Sequence, residues 1–203
     1  MLEKIEGVLL KEKPDWVLLY GDTNSTLAGS LAAAKLNIKI AHVEAGLRTG
    51  HMRSPFPEEF NRRVVSLIAD MHFAPTEVAA GHLLAEGVTP EKVFVCGNTG
   101  IDSLLFTLGR LQSGKLRPSS KLGSLLAAHT SHRVIAVTGH RRESFGSAFR
   151  NICNAIRLVV EEFPDVLVVY PVHLNPSVRE PVFELLRGEE RLVLLEPLDY
   201  VDF

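Results

Sequence analysis

Cysteine is scarce: the 203 residues hold only Cys96 and Cys153. The pair shows no metal-ligand spacing, so reduced thiols in a reducing compartment are expected. Long apolar runs are missing too, and none approaches the roughly 20 residues of a membrane span. The charged, amphipathic start MLEKIEGVLLKEKPD is unlike a signal peptide. Charge of one sign is not in excess: 22 Lys and Arg stand against 24 Asp and Glu, a net charge of -2. That leaves no basic field to gather nucleic acid. Neither G-x-G-x-x-G nor G-K-[ST] occurs, which excludes a dinucleotide fingerprint and a P-loop. Without a G-x-S-x-G elbow, a Ser–His–Asp hydrolase has no support. Internal repeats and low-complexity tracts are absent as well. What is present, 46% hydrophobic and 23% charged residues, is ordinary for a globular chain. The expectation is a soluble, cytoplasmic protein with neither a membrane nor a nucleic acid as partner.

Along the chain, helix-like and strand-like segments alternate. Leu2, Ile5, Val8 and Leu9 recur at helical spacing until Pro14 stops them. WVLLY, from Trp16 to Tyr20, has the short apolar run of a buried parallel strand. Helix-like STLAGSLAAAKLN, strand-like IKIAHV, and the helix PEEFNRRVVSLIAD with Pro57 at its first position follow. MHFAP, TEVAAGHLLAEGV, KVFVCG and IDSLLFTLGRL continue the alternation, with Thr76 placed to cap a helix. Residues 113–131 break the rhythm with Ser, Gly, Lys and Pro, and are read as a linker or domain boundary. Beyond them come strand VIAVT, a helix from about Phe145, strand VLVVY, helix VREPVFELLRG and strand RLVLLE. In the first of those helices Phe149, Ile152, Cys153, Ile156, Val159, Val160 and Phe163 form one apolar stripe, read as core.

This pattern implies parallel sheets covered on both faces. The predicted domains are 1–120 and 121–203, with four strands before the linker and three after it. Both halves fall short of the five or six strands usual for a doubly wound domain, so the chain is expected to be a fragment.

The residues suited to chemistry cluster at predicted strand ends. VIAVTGHRRESFG places His140, Arg141, Arg142 and Glu143 in one strand-to-helix turn. Such turns lie where ligands bind open α/β sheets, and a helix N-terminus flanked by arginines suits a phosphate. A solvated charged turn is the alternative. Asp22 ends the WVLLY strand among Thr23, Asn24, Ser25 and Thr26, either as a helix cap or as a site carboxylate. Glu44 ends the next strand and shares a loop with Arg48 and Arg53; Glu58 and Glu59 open a helix after a Pro-rich loop. His42 and Glu44 fall on one side of a strand, but neither His51 nor any other residue offers a third ligand of fitting spacing, so no metal is expected. Carboxylates at strand and helix ends, together with His140, point to acid–base chemistry between two domains.

Taken together, GDTNSTLAGSLAA, HVEAGLRTGHMRSPFPEEFNRR, HFAPT, VFVCGNTGIDSLL, VTGHRRESFG and YPVHLNPSVREPV resemble the non-hydrolysing UDP-N-acetylglucosamine 2-epimerases. The resemblance runs in register along almost the whole chain. It implies two Rossmann-like domains of GT-B type facing each other across a cleft, both incomplete here. It also implies interconversion of UDP-N-acetylglucosamine and UDP-N-acetylmannosamine, supplying N-acetylmannosamine units for cell-surface polysaccharides. UDP is eliminated as C2 is deprotonated, and is added back after reprotonation from the opposite face, with no cofactor. Asp22, Glu44 and Glu58 match the family's catalytic acidic positions, and His140 its substrate-contacting histidine. Asp22, Glu44 and His140, with Leu198 and Phe203 beside the uracil, match its substrate contacts. Arg141 and His173 match positions that bind a second, allosteric UDP-N-acetylglucosamine in bacterial relatives. UDP and a homodimer of the full-length protein are the further partners implied.

The family's opening G-T-R-P-E loop and its later S-D-S-G-G string do not occur in this chain. The 203-residue polypeptide alone is therefore expected to be inactive. The alternatives are a hydrolysing 2-epimerase, which carries G-G-E where this chain has VEAGLRTG, and a non-catalytic nucleotide-sugar-binding fragment. A GT-B glycosyltransferase is an analogy of fold alone.

Overall fold

The computed structural model describes residues 1–141 and 144–203, and the chain divides into two compact units, Met1–Ser103 and Leu104–Phe203. Each is a parallel α/β unit, the fold class the sequence implied.

In the first unit α1 (Leu2–Glu12) leads into β1 (Trp16–Tyr20), followed by α2 (Asn24–Lys35), β2 (Lys39–Val43), α3 (Glu58–Ile68), β3 (Met71–Ala74), α4 (Glu77–Ala85) and β4 (Val93–Val95). All pairings are parallel and the order is β1-β2-β3-β4, so the strand order never reverses. Right-handed crossovers that all step the same way lay their helices on one face. Val17, Leu19 and Ile40 accordingly pack with Leu9 of α1 and with Ala32 and Ala33 of α2. On the opposite face Trp16, Leu18 and Tyr20 are exposed, Leu18 at 67%. Within this chain β1 ends the strand order, and the apolar WVLLY run leaves one of its faces exposed. The helix starts conform better to the sequence reading. Thr23 and Thr76 each cap the helix behind them by accepting a backbone N–H three residues on. Pro57 is the residue before α3 rather than its first.

Two histidines lie in this core. His42 of β2 and His72 of β3 are register partners on adjacent strands, both essentially without exposure. Burial, then the neighbouring His42, hold His72 down to about 4, and burial also lowers His42. The unfolded chain takes up protons on these rings as pH falls through their ordinary 6.5, whereas folded His72 resists to about 4. Their contribution is thus fully present above pH 6.5 and is lost as pH drops toward 4. Amide-exchange protection of β2 and β3 should fall across that window, with a shallower fall in His72→Phe. Identical pH slopes in both proteins would exclude the histidine as the cause.

The long helix α5 (Thr99–Gln112) spans the division between the units. The second unit holds α6 (Ser120–Ala128), β5 (Arg133–Ala136), α7 (Ser147–Glu162), β6 (Val166–Pro171), α8 (Pro176–Leu186) and β7 (Leu192–Leu195). The stretch read as a linker therefore contains a helix, α6, capped by Ser119 through the Leu122 N–H. Loop composition at its start concealed an SKLGSLLAA segment of good helix formers. The sheet runs β5-β6-β7, parallel, with β6 central and Val166 to Tyr170 all buried. On α7 the core stripe is narrower than expected: Phe149, Cys153 and Val160 are buried, while Ile152 and Phe163 are 42% and 45% exposed. Burial raises the Cys153 thiol, which is free and inert in the core. Among the described residues no helix is long and apolar enough to cross a membrane.

Candidate active site

The site of the first unit is built at the carboxyl ends of β1 and β2. After Tyr20 the chain turns at Gly21, φ 72°, whose N–H donates to the Val43 carbonyl at 3.0 Å. The Gly21 carbonyl bonds the His42 ring Nε2 at 2.8 Å, so the core histidine braces the loop from below. Thr26 adds a second brace, its hydroxyl donating to the Tyr20 carbonyl at 2.7 Å.

Asp22 follows, and it is not the helix cap; Thr23 is. Its carboxylate instead accepts from Arg62 Nη1 at 2.9 Å. Arg62 Nε and Nη2 both donate to Glu59 Oε2, at 3.2 and 3.0 Å. Glu59 is fully buried and also accepts the Thr49 backbone N–H at 3.1 Å. Burial works against its charge, but the Thr49 N–H and Arg62 outweigh that and leave the carboxyl below its ordinary range. Asn61, one residue before Arg62, donates to the Asp22 carbonyl at 2.7 Å and to Asn24 at 3.2 Å.

Glu44 lies just past β2 with φ 66°, a left-handed backbone uncommon for a residue with a side chain. Its Oε2 lies 3.5 Å from where a Cβ on Gly21 would stand, so the two strand ends approach closely. Burial raises the Glu44 carboxyl, the charge of Asp22 raises it further, and Arg62 pulls it part of the way back. Among the described residues Glu44 makes no side-chain hydrogen bond or ion pair.

Other expectations resolve differently. Arg48 does not accompany Glu44: it forks onto Glu86 at 2.9 and 2.8 Å and donates to Ser66 at 2.9 Å. Glu58 opens α3, half-buried, with no side-chain hydrogen bond or ion pair among the described residues. Glu59 and Arg62, whose roles the sequence reading missed, had one signal: a carboxylate and an arginine three apart on a helix.

In the second unit, His140 and Arg141 are exposed past the end of β5; Arg142 and Glu143 lie outside the described residues. The helix begins only at Ser147. The His140 ring stacks on His173 with centroids 5.2 Å apart and planes 19° from parallel. His173 Nδ1 accepts the Asn175 N–H at 3.1 Å, which fixes its ring. Below them the Tyr170 hydroxyl donates to the Gly139 carbonyl at 3.2 Å. Leu198 lines a cavity of about 580 Å³ with Ser119, Leu122, Leu125, Val193 and Asp202. Phe203 is 65% exposed and does not line it.

The carboxylates at adjacent strand ends of the first unit, and separately the histidine turn of the second, carry no fold-specific identity. Comparison supplies it: a family model described as UDP-N-acetylglucosamine 2-epimerase matches residues 1–203. The chain belongs to the UDP-N-acetylglucosamine 2-epimerase family. The UDP-N-acetylglucosamine 2-epimerase of Escherichia coli K12 is 46% identical over 208 residues, covering 100% of this chain and 54% of its own. The Staphylococcus aureus MnaA–UDP co-structure is similar at a TM-score of 0.90 and 44% identity, over 100% of this chain and 53% of that one. The Neisseria meningitidis UDP-GlcNAc 2-epimerase bound to UDP-GlcNAc gives 0.90 and 39%, over 100% and 54%. The chain thus spans about half the length of the relatives it matches.

Proposed function

We propose that these residues belong to a non-hydrolysing epimerase that interconverts UDP-N-acetylglucosamine and UDP-N-acetylmannosamine in the cytoplasm. A carboxylate takes the C2 proton; the C–H electron pair becomes the C1–C2 double bond, and the C1–O pair leaves with UDP. Return of a proton to the other face of C2 and of the UDP oxygen to C1 completes the inversion. No net oxidation occurs, so no redox cofactor is required.

Asp22, Glu44 and Glu58 supply the proton-transfer groups and His140 meets the substrate. Leu198 and Phe203 lie beside the base, and Arg141 with His173 holds a second UDP-N-acetylglucosamine. The active protein is a homodimer. The observation that carries this reading is the raised carboxyl of Glu44, unbonded among the described residues, next to the tethered Asp22. A carboxyl held above its ordinary range is suited to proton transfer near neutral pH. The stacking of His140 on His173 supports a second role for that turn, because it ties the substrate histidine to the proposed allosteric position.

The test is a chimera in which this chain replaces the matching segment, 54% of the length, of the E. coli relative. It should form UDP-N-acetylmannosamine from UDP-N-acetylglucosamine. A folded chimera that binds UDP-sugar without turnover would instead indicate a binding module, and release of free N-acetylmannosamine a hydrolase.

A further inference from the structure

We infer that Arg62, clamped by Glu59, is a positioning residue that sets the working arrangement of Asp22 and Glu44. The inference rests on the epimerase reading for what the carboxylate pair does, but not for how the pair is held.

Two carboxylates bond this one guanidinium, and a third feels it through space. Two of its nitrogens are committed to Glu59 and a third to Asp22. Because the fork is planar and rigid, fixing Nε and Nη2 on Glu59 also fixes the direction in which Nη1 points. Glu59 has no exposure, so it is out of reach of any substrate. A buried charge that meets no ligand is costly unless paired, and Glu59 pairs through Oε2 with Arg62, which it orients, and through Oε1 with Arg63 at 3.5 Å. Asn61 grips the backbone of the Asp22 loop from the same helical turn. One turn of α3 therefore fixes both the main chain and the side chain of Asp22.

Glu44 is the third carboxylate: its Oε2 stands 3.5 Å from where a Gly21 Cβ would lie, one residue before the Asp22 that Arg62 holds, and Arg62 acts on it only through space. The charged groups that bear on Glu44 are Asp22, from the loop after β1, and Arg62, from α3. Asn98 and Thr99, on its other side, are neutral. Arg62 is thus the one cation offsetting Asp22 at Glu44 among the described residues. Without it, Glu44 faces an untethered like charge and holds its proton to higher pH.

The experiment is a carbon-13 carboxyl titration of Glu44 in the 203-residue chain, which needs no substrate. In Arg62→Met and Arg62→Gln the Glu44 midpoint should rise by about one pH unit, and Arg62→Lys should return it most of the way. A merely structural arginine would lower stability and leave that midpoint in place. Either neutral variant, folded by its amide spectrum but titrating within a few tenths of the parent, overturns the inference. Unfolding of both neutral variants overturns it too, since it would make Arg62 a structural residue. The titration stands whether or not the chimera turns over, so the two readings fail separately.

Discussion

Glu44→Gln, carried in the E. coli chimera, is expected to cut C2 epimerisation roughly 10²–10⁴-fold, the range over which a positioned proton-transfer group acts. The substitution keeps the shape and removes the proton. Glu44 makes no side-chain hydrogen bond among the described residues, so there is little structural support to lose. Its backbone, at φ 66°, is as accessible to Gln as to Glu. Binding of UDP-N-acetylglucosamine should therefore change far less than kcat. The pH profile gives a second check. Burial and Asp22 raise Glu44, so the parent should show an acidic limb above the ordinary carboxylate range of 4.5. That limb should vanish in the variant. A loss under about fivefold, with the limb intact, would remove Glu44 from the chemistry and leave its raised carboxyl a consequence of packing.

Glu59→Ala is the largest stability effect expected, about 3–5 kcal/mol, because it breaks a buried pair by taking one partner away. Arg62 loses two of its hydrogen bonds, and the Thr49 N–H loses its acceptor. The remaining contact to Asp22 neutralises Arg62 only from the half-exposed side. Glu59→Gln keeps an acceptor of the same shape and should cost clearly less. Because the chain holds two units, a single melting point would mix them. Amide exchange resolved to β1, β2 and α3 reads the first unit directly. Protection lowered by less than about 1 kcal/mol in Glu59→Ala would mean that the pair adds little beyond what a neutral core would give.

The alternation of strands and helices was readable because each apolar run and each cap is local. WVLLY, KIAHV and VLVVY appear in the structure as strands, with Thr23 and Thr76 at helix starts. What one run cannot reveal is its place in the sheet. Trp16, Leu18 and Tyr20 look like core in sequence, and are exposed here because α1 and α2 pack on the Val17 and Leu19 face of β1. The candidate site was legible in part for a similar reason. Asp22 and Glu44 announce themselves at strand ends, but whether Asp22 caps a helix depends on Arg62, 40 residues away. Arg48 beside Glu44 looked like a partner until the fold supplied Glu86, 38 residues on. The left-handed backbone of Glu44 has no sequence signal at all, since the residue is not Gly or Asn.

The central claim is that a carboxylate takes the C2 proton and that UDP leaves and returns within one site. Turnover of UDP-N-acetylglucosamine by the chimera in deuterium oxide, followed by mass and carbon-13 spectra, tests it most directly. The expected product is UDP-N-acetylmannosamine with deuterium at C2, accompanied by recovered substrate labelled at the same carbon. Unlabelled nucleotide-sugar product, or free N-acetylmannosamine with UDP, would contradict it.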